Sequence, residues 1–211
     1  MKYKDLEGKA KLEYLWDYYR LPFFAILFSV IMIIWIGTTV WENKNRIIAL
    51  DLTIVGDYVN PDAVLLLQES LKKAYIEKGI EGEVTVESIN LSSNTNPEQQ
   101  MANNAKFFAK TSSNTIDVII SFADNYKGFA ETGLFAPLDE FFATGVLVAE
   151  DEAKMYSIQN ESTEEKIYGV NVSVNPKLAG LMDPANGIIL SICVNSEKRE
   201  NAIEAMKFIL E

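Results

Sequence analysis

Two counts restrict the chemistry open to this chain before any element is placed. Its 211 residues include no histidine and one cysteine, Cys193. A Ser-His-Asp triad, a Cys-His pair, a His-ligated zinc site and a histidine pH switch are therefore all impossible. A lone cysteine forms neither an intrachain disulfide nor a Cys-cluster metal site. Within an apolar run, Cys193 reads as a small buried hydrophobe. The remaining catalytic route is a pair of carboxylates, as in glycoside hydrolysis. The chain has 30 Asp and Glu residues, but most fall on expected helix surfaces or loops and no pair stands out. Glu150-Asp151-Glu152 and Glu164-Glu165 read as solvated faces. EF-hand spacing and glycine-rich phosphate loops are absent. The expectation is a protein without catalytic residues, cofactor or metal.

The residues best suited to contact a ligand are Asp57, then Ser92, Ser93 and Asn94, then Phe122 and Asp124, and finally Tyr168. They are far apart in sequence, so a sheet must bring them together. Ile47–Val55 alternates around Asp51 and Thr53 and predicts a first strand ending at Gly56-Asp57. Asn60-Pro61-Asp62 then supplies an N-cap, a proline at the first helical position and an acid at the positive helix end. The helix it opens ends near Gly79 and turns Val64, Leu67, Leu71 and Ala74 inward. Glu83–Leu91 alternates as a second strand. Asn96-Pro97 opens a second helix, with Gln99 at the capping-box position and Met101, Ala105 and Phe108 as its expected buried side. Ile116–Phe122 has the continuous apolar character of a buried parallel strand.

Strand, helix, strand, helix, strand at this spacing predicts a doubly wound α/β domain, because parallel neighbours need a crossover helix. Ligands of such sheets lie beyond the carboxyl ends of the strands. The candidate residues fall there, with Tyr168 expected to approach the same edge. A short helix is expected over Asp124–Thr132, and further strands near Lys154–Gln159 and Ile167–Val174. Gly187–Val194 reads as a strand. Ser196 can cap a last helix that turns Ala202, Met206 and Ile209 inward.

Residues 21–41, LPFFAILFSVIMIIWIGTTVW, contain no charge. About twenty helical residues span roughly 30 Å, the thickness of a bilayer's hydrocarbon core. The run predicts a transmembrane helix, with Pro22 near its first turn, where a missing N–H costs nothing. It is long for a signal-peptide core and lacks a small-x-small cleavage pattern, so an uncleaved anchor is expected. Lys2, Lys4, Lys9, Lys11 and Arg20 precede the run, and only Lys44 and Arg46 closely follow it. The positive-inside rule then places residues 1–20 at the cytoplasmic side, residues 42–46 as a short linker and residues 47–211 outside the cytoplasm. Tyr14, Trp16, Tyr18, Tyr19 and Trp41 suit interfacial belts.

The segment DVIISFADNYKGFAETGLFAPLDEFF, residues 117–142, resembles a stretch of bacterial extracellular solute-binding proteins of ABC importers. Gly133, Leu134, Pro137, Leu138 and Asp139 match the turn that, in that family, returns the chain after the helix following a strand that ends at the ligand cleft. Lys166-Ile167-Tyr168-Gly169-Val170 is similar to its Tyr-Gly-Val-Pro strand, with Asn171 in place of the proline. Residues 194–210, VNSEKRENAIEAMKFIL, resemble its strand-to-helix segment. The resemblance implies a periplasmic-binding-protein-like lobe. Only residues 175–186 occupy the place of the second lobe, so it implies a single lobe with the other reduced to a loop.

The net charge of -11 divides into +2 over residues 1–46, with 7 basic and 5 acidic, and -13 over residues 47–211, with 12 and 25. A domain this acidic lacks the Lys/Arg excess that nucleic acid requires. All three tryptophans, Trp16, Trp35 and Trp41, belong to the first part, which disfavours a sugar cleft built on the widest stacking ring. The expected function is a single-pass, membrane-anchored, extracytoplasmic binding or interaction module without catalysis. Its partners would be the lipid bilayer and another membrane or envelope protein. The alternative is a small-molecule receptor component of an ABC importer, and the most remote is a cell-envelope enzyme using a carboxylate pair.

Overall fold

The structure is a computed structural model that describes residues 9–44, 46–92, 96–157 and 164–211. The chain divides into two compact units, Met1–Arg46 and Ile47–Glu211. In the first, helix α1 runs over Lys9–Lys44. Its Leu21–Thr39 stretch is long and apolar enough to cross a membrane. The helix begins well before the apolar run, so Pro22 lies in its interior and not in its first turn. The backbone hydrogen bond of one turn is lost there, a loss that spanning helices tolerate.

The second unit is an α/β fold around one mixed six-stranded sheet. Its strands are β1 (Ile48–Val55), β2 (Glu83–Ile89), β3 (Val118–Phe122), β4 (Lys154–Ser157), β5 (Lys166–Asn171) and β6 (Ile188–Ile192). The order across the sheet is β2-β1-β3-β6-β5-β4. β1 pairs in parallel with both β2 and β3. Beyond β3 every pairing is antiparallel. The parallel winding expected from the sequence therefore covers the first half of the sheet only. Among the described residues no α-helix lies between β4, β5 and β6, and without a crossover helix the chain returns antiparallel.

Helices α2 (Pro61–Glu77), α3 (Pro97–Ser112), α4 (Ala123–Glu131), α5 (Asp139–Ala143) and α6 (Arg199–Leu210) complete six α-helices among the described residues. The Asn-Pro starts work as expected: Asn60 Oδ1 accepts from Asp62 N and Asn96 Oδ1 from Glu98 N, each at 3.0 Å. One face of the sheet is sealed by α2 and α6. Leu50, Leu52 and Ile54 of β1 meet Val64, Leu67 and Leu71 of α2 and Ala202, Met206 and Ile209 of α6. Tyr75 is buried beside them and donates to Asn201 O at 2.6 Å, while Ala74 is only half-buried. On the other face Val55, Ile119 and Ile189 pack with Tyr126 and Ala130 of α4, Phe135 and Cys193. Phe107 of α3 stacks on Phe129 at 5.0 Å.

Two further expectations fail. Met101 and Phe108 are 74% and 73% exposed and Ala105 is exposed as well. The side of α3 toward the sheet is Gln100, Asn103, Phe107, Lys110 and Thr111, all only half-buried. The reason lies in the sheet, because its surface beneath α3 carries Asp51, Thr53 and Glu87. Lys110 Nζ bonds Asp51 Oδ1 and Oδ2 at 2.8 and 2.9 Å and also pairs with Glu87. A charged surface has recruited the polar side of the helix. Ser196, expected as the cap of α6, makes no side-chain cap there; Lys198 occupies that place without one. The Ser196 hydroxyl instead donates to Asp117 Oδ1 at 2.7 Å and accepts from Lys198 N at 3.2 Å.

Candidate functional site

The two connections that leave β1 and return to its other side set up the site. The chain passes through α2 to β2 on one flank, then through α3 to β3 on the other. At such a switch point the loops diverge and leave a crevice beyond the carboxyl ends of the strands. A cleft of about 370 Å³ occupies that place. Asp57 follows β1, Ser92 follows β2, Phe122 ends β3, and Asp124 opens α4; all four line the cleft.

The remaining candidates behave differently. Ser93 and Asn94 lie outside the described residues. Tyr168 does not reach this edge: it is buried in the core with Tyr126, Phe135 and Cys193. β5 sits two strands away from β3, and Tyr168 points into the sheet's α4 side. Sequence reasoning missed Leu91, Gln100, Asn125 and Asn186, which complete the lining. Gln100, one turn into α3, could have been suspected, since a helix that starts at the cleft presents its first turn there.

Asn90 fixes the rim. Its Nδ2 donates to Asp57 O at 2.6 Å and its Oδ1 accepts from Ser92 N at 2.8 Å, while its backbone oxygen accepts from Asn103 Nδ2 at 2.8 Å. The Asn90 side chain thus ties the loop after β1 to the loop after β2, and its backbone oxygen links both to helix α3. Gly56 leaves little room for a side chain: a Cβ there would displace the flexible end of Met182 and press the Phe122 ring at 3.2 Å. Ala123 N donates to Gly187 O at 3.0 Å and holds the start of α4 beside Asn186.

None of the lining residues is basic. The nearest lysine of α4, Lys127, stands 3.9 Å from Asp124, and both side chains are exposed, so it neutralises little. The cleft therefore offers two carboxylates, three amides, a hydroxyl and the flank of one aromatic ring. Such a lining hydrogen-bonds neutral polar groups or pairs with a cation, and it repels phosphate and carboxylate. Among the described residues no group of three or more Asp, Glu or Cys converges on a point that a metal could occupy.

A second polar cluster lies below the cleft. Asp51 and Asp117 are almost fully buried, at 6% and 1% exposure. Asp117 accepts from Asp51 N at 2.8 Å and from the Ser196 hydroxyl, with Lys198 Nζ at 3.5 Å. Burial pushes the Asp51 carboxyl above the usual range despite Lys110. Burial would also lower Lys110, but its bonds to Asp51 and Glu87 outweigh this and keep it charged. Glu87 is likewise opposed by burial, yet Lys106 and Lys110 together hold it below its ordinary value. The hydroxyls of Ser121 and Ser191 are buried without a hydrogen-bond partner. Burial, helped by the neighbouring Tyr168, raises the Tyr126 phenol to about 12.

Set against protein-family models, curated proteins and solved structures, the chain matches none of them.

Proposed function

We propose that this chain is a single-pass, membrane-anchored, non-catalytic receptor domain that takes a small polar solute carrying no net negative charge into the cleft beyond β1, β2 and β3. The observation that carries this reading is the cleft itself: strand ends at a switch point, lined by carboxylates and amides with no basic residue. Anchoring rests on Leu21–Thr39. The cytoplasmic placement of the N-terminus, and the extracytoplasmic placement of residues 47–211, rest on the basic residues before that run. In this reading the domain works as one lobe of a solute-binding protein, presenting its ligand to a membrane importer.

A thermal-shift panel of amines, amino acids, polyols and organic acids tests it, since a ligand that binds the native state raises its melting temperature. At a hundredfold excess over Kd the native state gains about 2.7 kcal/mol. Amines or neutral polar solutes should shift the melt, and the double variant Asp57→Asn with Asp124→Asn should abolish the shift. No shift across the panel, or shifts by organic acids alone, would overturn the proposal. A second reading, a module that docks an envelope protein, is favoured by one feature: the outward Met101 and Phe108 of α3. Recovery of a stoichiometric partner from solubilised membranes, lost on Met101→Ser with Phe108→Ser, would support it.

A further inference from the structure

We propose that α3 is a detachable wall of the cleft, releasing from the sheet as a unit while the rest of the domain stays folded. Helices α2 and α6 are held by apolar burial: four buried side chains in α2 and five in α6. α3 has sixteen residues, one fewer than α2, yet buries none of them. Its attachments are the ion pairs of Lys110 with Asp51 and Glu87, the pair of Lys106 with Glu87, the Asn103 bond to Asn90 O and the stack of Phe107 on Phe129.

The consequence follows from what each helix would leave behind. Lifting α6 exposes Ala202, Ile203, Ala205, Met206 and Ile209 and the apolar strand face beneath them. Lifting α3 uncovers Asp51, Thr53 and Glu87, groups that water solvates well, and withdraws a single large side chain, Phe107, from the apolar cluster that includes Val55 and Ile119. Opening free energies track buried apolar area, so α3 belongs at the low end of the local-stability range. The attachment is also wired to the site. Gln100 lines the cleft, and Asn103 holds the Asn90 carbonyl whose side chain positions Asp57 and Ser92. Release of α3 therefore removes one wall and loosens the rim. The meaning of that opening rests on the cleft being a binding site; the release itself does not.

Amide hydrogen exchange on the full chain in detergent micelles, with no solute added, measures it. Amides of 97–112 should exchange at least about tenfold faster than those of α2 and α6. Lys110→Met should bring 97–112 close to the rate of an unstructured peptide while α2 and α6 remain protected. Asn103→Ala, which removes one hydrogen bond and no charge, should accelerate 97–112 by a smaller factor and serves if Lys110→Met does not fold. Exchange of 97–112 in step with α2 and α6, in the wild type and in Asn103→Ala alike, would overturn the proposal, even if a solute binds the cleft. Faster exchange of 97–112 would sustain it even if the solute panel finds nothing.

Discussion

Asp117→Ala should be among the most damaging single changes in this domain. The carboxylate is 1% exposed and takes two short hydrogen bonds, from Asp51 N at 2.8 Å and the Ser196 hydroxyl at 2.7 Å. It thereby ties β1 to the turn that leads into α6, with its own residue placed just before β3. Hydrogen bonds to a charged group contribute about 1.5–3 kcal/mol each. Two of them give a gross loss of about 3–6 kcal/mol, which removal of the buried charge partly offsets, leaving about 3 kcal/mol. For a domain of this size that is roughly 6–12 °C in Tm. Asp117→Asn should cost less, about 1–2 kcal/mol. Its amide oxygen can still accept from Asp51 N, and the Ser196 hydroxyl can turn to accept from the new NH2. The three tryptophans belong to residues 1–46, so tryptophan fluorescence would follow that segment and not this domain. The melt is better read by far-UV circular dichroism together with alkylation of Cys193, which is buried. A double-mutant cycle with Ser196→Ala should show coupling of about 0.5–3 kcal/mol. If Asp117→Ala shifted Tm by less than about 3 °C, or showed no coupling to Ser196, the tie would not contribute as argued.

Further expectations rest on single features. Gly169→Ala should cost about 2 kcal/mol, because a Cβ there would lie 2.7 Å from Ser191 Oγ, 2.8 Å from Ile189 Cγ2 and 3.0 Å from Tyr126 Cε2; a denaturant midpoint unchanged from the wild type would refute this crowding. Burial, then the charges of Asp117 and Asp51, pushes the Cys193 thiol from an ordinary value near 9 up to about 12. At pH 8 its thiolate fraction is then about a thousandfold below that of a free thiol, and iodoacetamide should label it only in denaturant. The sign is that of a raised acid. This contribution to stability is whole below about pH 9 and is lost as pH rises through about 12. Extraction of membranes with alkaline carbonate should leave the chain in the pellet, and Ile31→Lys with Ile34→Lys should release part of it, since each central lysine adds about 2.5–3.5 kcal/mol to insertion.

Much of this architecture is legible along the chain. Asn60-Pro61-Asp62 and Asn96-Pro97-Glu98 state two helix starts outright, and the structure uses each asparagine as the cap. The alternation in Glu83–Ile89 states that β2 has one buried and one wetter face. Local patterns of this kind are written in neighbouring residues. The antiparallel half of the sheet is not. Whether β6 runs with or against β3 depends on the path from Phe135 back through β5, and that is a matter of connection rather than composition. The same limit separates Tyr168 from the cleft. An aromatic on a strand reads alike whether it nears an edge or the core, and only the strand order puts Tyr168 beside Tyr126.

The case of α3 shows a different kind of limit. Met101, Ala105 and Phe108 form a proper helical stripe, and burial of such a stripe is the usual outcome. The outcome is decided by the surface that receives the helix. Asp51, Thr53 and Glu87 were visible in the strands as residues alternating away from the apolar core, and Asn103, Lys106 and Lys110 were visible in the helix. Each set reads separately as a solvent-facing side. Placed opposite one another they satisfy each other, since a half-buried carboxylate beside another carboxylate needs a cation more than a hydrophobic helix face needs shelter. The apolar stripe is the party left outside. A strand whose second face is charged should therefore prompt a search for a helix with lysines spaced at one turn before any apolar stripe is assigned inward. By that rule the pairing of 51 and 87 with 106 and 110 follows from the sequence, and with it the placement of Gln100 at the cleft.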